Sequence, residues 1–296
     1  MVYDVIIIGG GASGLSAGIE SLKRGYKNTL ILEREDFLGG NLNLFINNRD
    51  ENITGPEFSS KLVREFKSLG GEYKVNTTAI TVSEEKEITY INPKDKVTKV
   101  KAEKIIIATG LRERFTGNII IPIHKYTGIL TVAAAHKMIN FKGLLPGKEV
   151  VIVGRNRWSL NLARRFVIEG AKVKAFLLDS SIDCKIREED LDIIKDFDIP
   201  IIRNCAVTEL SGGDRVEEVT ILNLDNDVEE YITCDSLVIS VGYYRQLEVI
   251  RDKAIKLGAN QETNVPGIYV CGTARLGEDL LECSHIDGES VYGTSS

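Results

Sequence analysis

An α/β fold of two doubly wound domains, the second inserted into the first, is predicted by the 296-residue sequence on three observations. The apolar run Val5-Ile6-Ile7-Ile8 enters the glycine turn Gly9-Gly10-Gly11-Ala12-Ser13-Gly14, which opens a helical pattern. The same plan returns at Glu149-Val150-Val151-Ile152-Val153-Gly154, so one supersecondary unit occurs twice. Further apolar runs end in glycine at Thr109-Gly110, Val241-Gly242 and Cys271-Gly272, as buried strands do where a tight turn leaves the sheet.

Leu15 to Lys23 repeats apolar residues at helical spacing, and Gly25 ends that helix. Asn28 to Leu32 is a second buried strand, closing at Glu33 to complete a βαβ unit of about 30 residues. Gly55-Pro56 begins a helix that runs to Leu69, with proline in the first turn where its missing N–H is harmless. From Tyr73 to Val100 apolar and polar residues alternate around turns such as Asn92-Pro93-Lys94-Asp95, which predicts an antiparallel meander. It returns into the strand Ile105 to Ala108. In the second copy, Leu160 to Glu169 is helical, Gly170 stops it, and Lys172 to Leu178 is a strand ending at Asp179. Cys205 to Tyr231 is the second meander, Leu237 to Val241 its returning strand, and Gly267 to Thr273 supplies a last strand. This order places the inserted domain at 117–245 and its host at 1–116 with 246–296.

Composition narrows the function classes. Lys and Arg number 37 against 43 Asp and Glu, a net charge of −6 with the signs interspersed, so no basic face for a nucleic acid is expected. The longest apolar runs are strand-length, well short of the roughly 18 residues of a membrane span. Five cysteines (Cys184, Cys205, Cys234, Cys271, Cys283) form no C-x-x-C pair, which predicts a reducing, cytoplasmic setting without a zinc site. No signal peptide is expected, because the apolar residues after Asp4 run straight into glycines.

The spacing Gly9-x-Gly11-x-x-Gly14 is a weak signal alone, but here it follows a strand, opens a helix and precedes Glu33 by 19 residues. In such a turn Gly9 permits the tight bend, Gly11 lets the backbone approach a pyrophosphate, and Gly14 lets helix and strand pack closely. The N–H groups of Ala12 and Ser13 then face the phosphate charge at the helix N-terminus. Glu33 is placed to accept from the ribose hydroxyls. Both domains are therefore expected to be Rossmann-like and dinucleotide-binding.

Gly18 and Gly25 extend the pattern to one that resembles the FAD fingerprint of two-dinucleotide-domain flavoproteins. Across nearly its whole length the chain resembles the pyridine nucleotide-disulfide oxidoreductase superfamily, in the size class of thioredoxin reductase. The motifs that carry this are Gly9 to Gly14 with Glu33, Gly39-Gly40, Ala108-Thr109-Gly110, Ser240-Val241-Gly242 and Val270-Cys271-Gly272-Thr273. The segments Leu32 to Gly40 and Leu144 to Val153 look more particularly like FAD/NAD-type subunits of amine, proline, opine or glycerol-3-phosphate dehydrogenases. The resemblance implies an FAD-dependent oxidoreductase with FAD held by the first domain. Its cofactor residues here would be Gly9, Gly11, Ala12, Ser13, Gly14, Glu33, Arg34, Gly40, Asn41, Thr109, Gly110, Gly272 and Thr273. Two departures stand out. The redox C-x-x-C of thioredoxin reductases is missing, which excludes thioredoxin reduction in its usual form, and Thr273 replaces the aspartate that normally contacts the ribityl chain.

The second turn reads Gly154-Arg155-Asn156-Arg157-Trp158-Ser159, with only its first glycine kept. Asn156 puts a side chain where a pyrophosphate needs bare backbone, and Ser159 adds a Cβ at the helix-strand contact. Asp179 nevertheless occupies the ribose position and disfavours NADP relative to NAD. Three readings stay open: a working NADH site on Gly154, Arg155, Asn156 and Asp179, a vestigial site, or a remodelled adenine-nucleotide site. Arg155 and Arg157 either grip phosphates or are solvated, and Trp158 either plugs the nicotinamide cleft or anchors a partner. Cys271 is a redox candidate or a small buried hydrophobe. His285, beside Cys283 and Asp287, either tunes the flavin or is solvated, and His124 and His136 have no context.

No catalytic residue is identified. Electron donors or acceptors, small molecules or proteins, are the expected partners, with a dehydrogenase subunit or a second copy of the chain as further candidates.

Overall fold

A computed structural model of the chain describes residues 2–44, 53–115, 123, 125–251, 254–258, 261–277 and 284–291. It divides into two compact units, Met1–Arg112 with Tyr244–Ser296 and Glu113–Tyr243. The first unit is thus split in sequence around the second.

The first unit is built on a sheet whose parallel strands lie in the order Glu72–Lys74, Thr29–Leu32, Val2–Ile8, Lys96–Ile107, with Ile268–Val270 also paired to Lys96–Ile107. The long strand Lys96–Ile107 serves two ladders. Its first half pairs antiparallel with Glu87–Asn92, which pairs with Thr78–Val82, and its second half runs parallel to Val2–Ile8. Residues of Val2–Ile8 alternate between two cores. Ile6 and Ile8 join Leu30, Ile105 and Ile268 on one face, while Val5 and Ile7 join Leu15, Leu62 and Phe66 of the helices Ala12–Lys23 and Gly55–Ser68 on the other. A strand covered on both faces needs a continuous apolar run, which is what Val5 to Ile8 provides. Glu72–Lys74 corrects one expectation, since Tyr73 lies in a parallel strand beside Thr29–Leu32 and the meander begins only at Thr78.

The second unit has strands in the order Val228–Thr233, Val216–Asn223, Ile201–Gly212, Lys172–Asp179, Glu149–Val153, Ser236–Ile239, Ile129–Thr131. The last five are parallel, and the first two extend Ile201–Gly212 as an antiparallel meander. Val151, Val153, Ala175, Leu177, Leu237 and Ile239 form one buried face. The helix Arg157–Ile168 follows Glu149–Val153. A second helix, Val132–Lys142, capped by Thr131 and ended by Gly143 in the left-handed region, has no counterpart in the sequence reading. No described helix is long and apolar enough to cross a membrane.

Candidate functional site

In the first unit the glycine turn is fixed by backbone geometry. Gly9 has φ +105°, and a Cβ there would lie 2.4 Å from the Ala108 carbonyl oxygen. At Gly14 a Cβ would fall 1.9 Å from the Gly9 carbonyl oxygen, so strand and helix touch at a distance that only glycine allows. Gly11 behaves differently. Its φ of −77° suits any residue, and a Cβ there would meet nothing nearer than Gly40 Cα at 4.0 Å. The bare backbone at Gly11 therefore borders open space. The helix Ala12–Lys23 starts at this point with no side chain capping it and no acidic residue in its first turn, which leaves its end able to attract an anion.

Glu33 is buried at the end of Thr29–Leu32. Its Oε2 accepts from Gly10 N–H at 2.6 Å and its Oε1 from Glu35 N–H at 2.8 Å. A carboxylate has about four acceptor positions, so capacity for ribose hydroxyls remains. Gly39 N–H donates to Gly10 O at 2.7 Å, which ties the loop carrying Gly40 and the exposed Asn41 to the turn. Arg34 reaches Gln246, Nη1 to Oε1 at 3.2 Å.

Thr109, Gly110, Gly272 and Thr273 stand beyond the carboxyl ends of the strands Lys96–Ile107 and Ile268–Val270. Gln246 clasps the first of these strand ends: the Thr109 hydroxyl donates to Gln246 O, and Gln246 Nε2 donates to Thr109 O at 3.1 Å and Leu111 O at 2.9 Å. A Cβ at Gly110 would lie 3.7 Å from Thr273 Oγ1, so the two strand ends are adjacent. Buried Asp287 holds the other, accepting from Gly272 N–H at 2.6 Å and pairing with Arg275 at 2.6 Å, while Gln261 Nε2 donates to its carbonyl at 2.7 Å. Gln246 and Asp287 were given no such part by the sequence, where their partners lie up to 137 residues away. The helix Ser284–Glu289 that carries Asp287 and His285 lies on the first turn of Ala12–Lys23, for a Cβ at Gly288 would be 2.2 Å from Ser13 O.

The second turn has the same backbone plan and a different filling. Asn156 caps Arg157–Ile168: its Oδ1 accepts from Ser159 N–H at 3.2 Å, and Ser159 Oγ accepts from Asn156 N–H at 3.4 Å. Asn156 Nδ2 also donates to the Tyr243 hydroxyl at 2.9 Å. Arg155 is neither solvated nor open to a phosphate as expected. It is 5% exposed, with Nε donating to Asp183 O at 3.0 Å and Nη2 3.4 Å from Asp183 Oδ2. Arg157 likewise pairs with Asp190 at 2.6 Å. Asp179 is 2% exposed; its Oδ1 accepts from Ser181 N–H and Oγ, and its Oδ2 from Val207 N–H at 2.8 Å. Trp158 is buried with its ring centroid 5.9 Å from that of His136, which counts against the second of its two readings, an anchor for a partner. Gly154 is retained for packing, since a Cβ there would lie 1.9 Å from the Phe176 ring.

Cys271 is fully buried, and burial pushes its thiol well above the ordinary range, so it is held protonated at neutral pH. Cys205 and Cys234 are pushed up to about 12 by the same cause, and Cys184 is exposed. Cys283 and His124 lie outside the described residues, as do residues 292–296.

A parallel sheet, an open glycine turn and an acid ending the next strand define the dinucleotide-binding α/β class. The family model of pyridine nucleotide-disulphide oxidoreductases matches residues 3–286, and the chain belongs to that family. Membership makes it an oxidoreductase of the flavin-dependent kind, with FAD as the supported cofactor. Among relatives, the "34.2 kDa protein in rubredoxin operon" of Clostridium pasteurianum is 24% identical over 92% of this chain and 89% of its own length. The ferredoxin–NADP reductase of Picrophilus torridus is 26% identical over 98% and 91% respectively. Among solved structures, T. acidophilum thioredoxin reductase superposes with a TM-score of 0.78 at 23% identity, covering 98% of this chain and 96% of that one. L-proline dehydrogenase from P. horikoshii gives 0.69 at 19% identity, covering 98% of this chain and 54% of that one. These two likenesses bear on the fold alone.

Proposed function

We propose that this chain is an FAD-dependent electron carrier in which the first unit holds the flavin nucleotide and the flavin passes electrons between a reductant and an acceptor. One observation carries the reading: the glycine turn of Val2–Ile8 borders open space at Gly11, while its neighbours Gly9 and Gly14 are in tight contact. The pyrophosphate would lie against Gly11 and the uncapped helix end, with Glu33 at the ribose and Thr109, Gly110, Gly272 and Thr273 at the strand ends. Bound flavin would supply the redox chemistry, and these residues its placement and electrostatics. Disulfide reduction in the manner of thioredoxin reductase is not part of the proposal, because the sequence has no C-x-x-C pair.

Gly11→Ala tests the site. A methyl group at Gly11 fits the unliganded backbone but would stand against the phosphate. The variant is expected to retain flavin about tenfold less tightly, about 1.4 kcal/mol, while its cofactor-free melting temperature stays equal to or slightly above wild type. Equal flavin content in the two proteins, read from their visible spectra, would place the nucleotide elsewhere. A second reading, a flavoprotein subunit of a hetero-oligomeric dehydrogenase, is favoured by the filled second turn. Co-purification with a second redox subunit supports it, and full turnover by the purified chain alone counts against it.

A further inference from the structure

One chain carries the same βαβ turn in two states, so each serves as the control for the other. A dinucleotide on such a unit lies across the helix N-terminus and over the end of the following strand. In the first unit the backbone at Gly11 borders open space and the helix end carries no side-chain cap. In the second unit the helix end and the strand end are both covered by the chain itself. Across the helix end stands the Asn156–Ser159 ring, with Asn156 Oδ1, a partial negative charge, where a phosphate oxygen would need a donor. Beyond the strand end, the segment after Asp179 folds back over the turn. Lys185 N–H donates to Arg155 O at 2.6 Å, Asp183 binds the Arg155 guanidinium, and Asp190 binds Arg157.

Opening this arrangement breaks buried pairings. Asp190 is 1% exposed and also accepts from Arg187 N–H at 2.9 Å, so drawing Arg157 away to a phosphate takes the ion-pair partner from a buried carboxylate. Asp179 already accepts from Ser181 N–H, Ser181 Oγ and Val207 N–H, one bond more than Glu33 accepts, which leaves less room for ribose hydroxyls. The arginines that looked like phosphate ligands are thus already spent on carboxylates of their own chain. The residues present in this unit do not fit a pyridine dinucleotide.

We propose that the second unit has converted its nucleotide turn into an internal lock: it holds no pyridine dinucleotide, and neither NADH nor NADPH reduces the flavin. The second half of this statement rests on the flavin assignment above, and the first half does not.

The test uses the full chain with its flavin, kept anaerobic. Trp158 is the only tryptophan in the sequence and sits in the first turn of the helix in question, so energy transfer from it to NADH or NADPH reports on this turn directly. The expected result is no saturable transfer up to about 1 mM nucleotide, the upper end of ordinary enzyme affinities. The flavin spectrum should also remain unbleached by either nucleotide while dithionite bleaches it. Saturable transfer below that concentration overturns the lock, and so does bleaching by NADH or NADPH. A chain that purifies without flavin contradicts the cofactor assignment instead, and the tryptophan measurement still decides whether the second unit binds a nucleotide.

Discussion

Glu113 lies just ahead of the helix Val132–Lys142 and accepts from Ala133 N–H at 2.7 Å, yet its other oxygen, Oε1, is buried without a hydrogen-bond partner. Burial outweighs the hydrogen bonds from the Thr131 side chain and the Ala133 N–H and pushes its pKa up to about 7. His136 sits one turn into the same helix, buried with Nε2 3.3 Å from the Trp158 carbonyl, and burial holds its pKa down at about 4. The two titrations act in opposite directions. The folded state binds the Glu113 proton more tightly than the unfolded chain, so that contribution is complete below about pH 4.5 and is lost as pH rises to about 7. Folded His136 resists protonation, so its contribution is complete above about pH 6.5 and is lost as pH falls to about 4. Each slope approaches about 1.4 kcal/mol per pH unit inside its window, and between about pH 4.5 and 6.5 they cancel. Urea unfolding followed by Trp158 fluorescence should therefore be nearly flat across that window in the wild type. Glu113→Gln should make stability rise with pH there, and His136→Gln should make it fall. Flat profiles in both variants would refute the assignment.

At the scale of elements, the helix Ser284–Glu289 approaches Ala12–Lys23 most tightly at Gly288. Replacing Gly288 by alanine adds about 1 kcal/mol of helix propensity, but the new Cβ would sit 2.2 Å from the backbone oxygen of Ser13, which no side-chain adjustment relieves. Such overpacking costs about 1–3 kcal/mol, so the steric term wins. Gly288→Ala should lower the melting temperature and, under the proposed flavin site, loosen the flavin, because Ser13 lies in the first turn of Ala12–Lys23. An unchanged melt and flavin affinity would show that the helix moves freely. The elements legible in the sequence are those whose signal is local: Val5 to Ile8 as a doubly covered strand, the glycine turns, and the Pro56 helix start. Glu72–Lys74 is too short to show a pattern, and Val132–Lys142 hides its face among alanines although Thr131 and Gly143 mark its ends. The site divides the same way. Gly9, Gly11, Gly14 and Glu33 are readable from spacing. Gln246, Asp287 and the fold-back of Asp183 to Asp190 over the second turn arise from pairings between distant residues, which no local pattern encodes.

For the whole molecule, two units that each have a complete sheet and core allow the proposed assignment of the flavin to the first unit to be tested by separate transitions. The first unit has cores on both faces of its sheet, and the second has its own, formed by residues between Ile123 and Ile239. Each therefore contains what a cooperative transition requires. A ligand stabilises only the unit it binds, by about 2.7 kcal/mol at a hundredfold excess over its dissociation constant. For a unit of this size that corresponds to roughly 5–10 °C in melting temperature. Calorimetry of the full chain is expected to resolve two transitions. Added FAD should raise the one belonging to Met1–Arg112 with Tyr244–Ser296, leaving unmoved the one followed by Trp158 fluorescence. NADH at about 1 mM should move neither. A shift of the Trp158 transition by FAD would place flavin contacts on the second unit, and a shift by NADH would show that its turn opens. The pattern expected here is that of a duplicated fold in which one copy binds a cofactor and the other is stabilised by its own side chains.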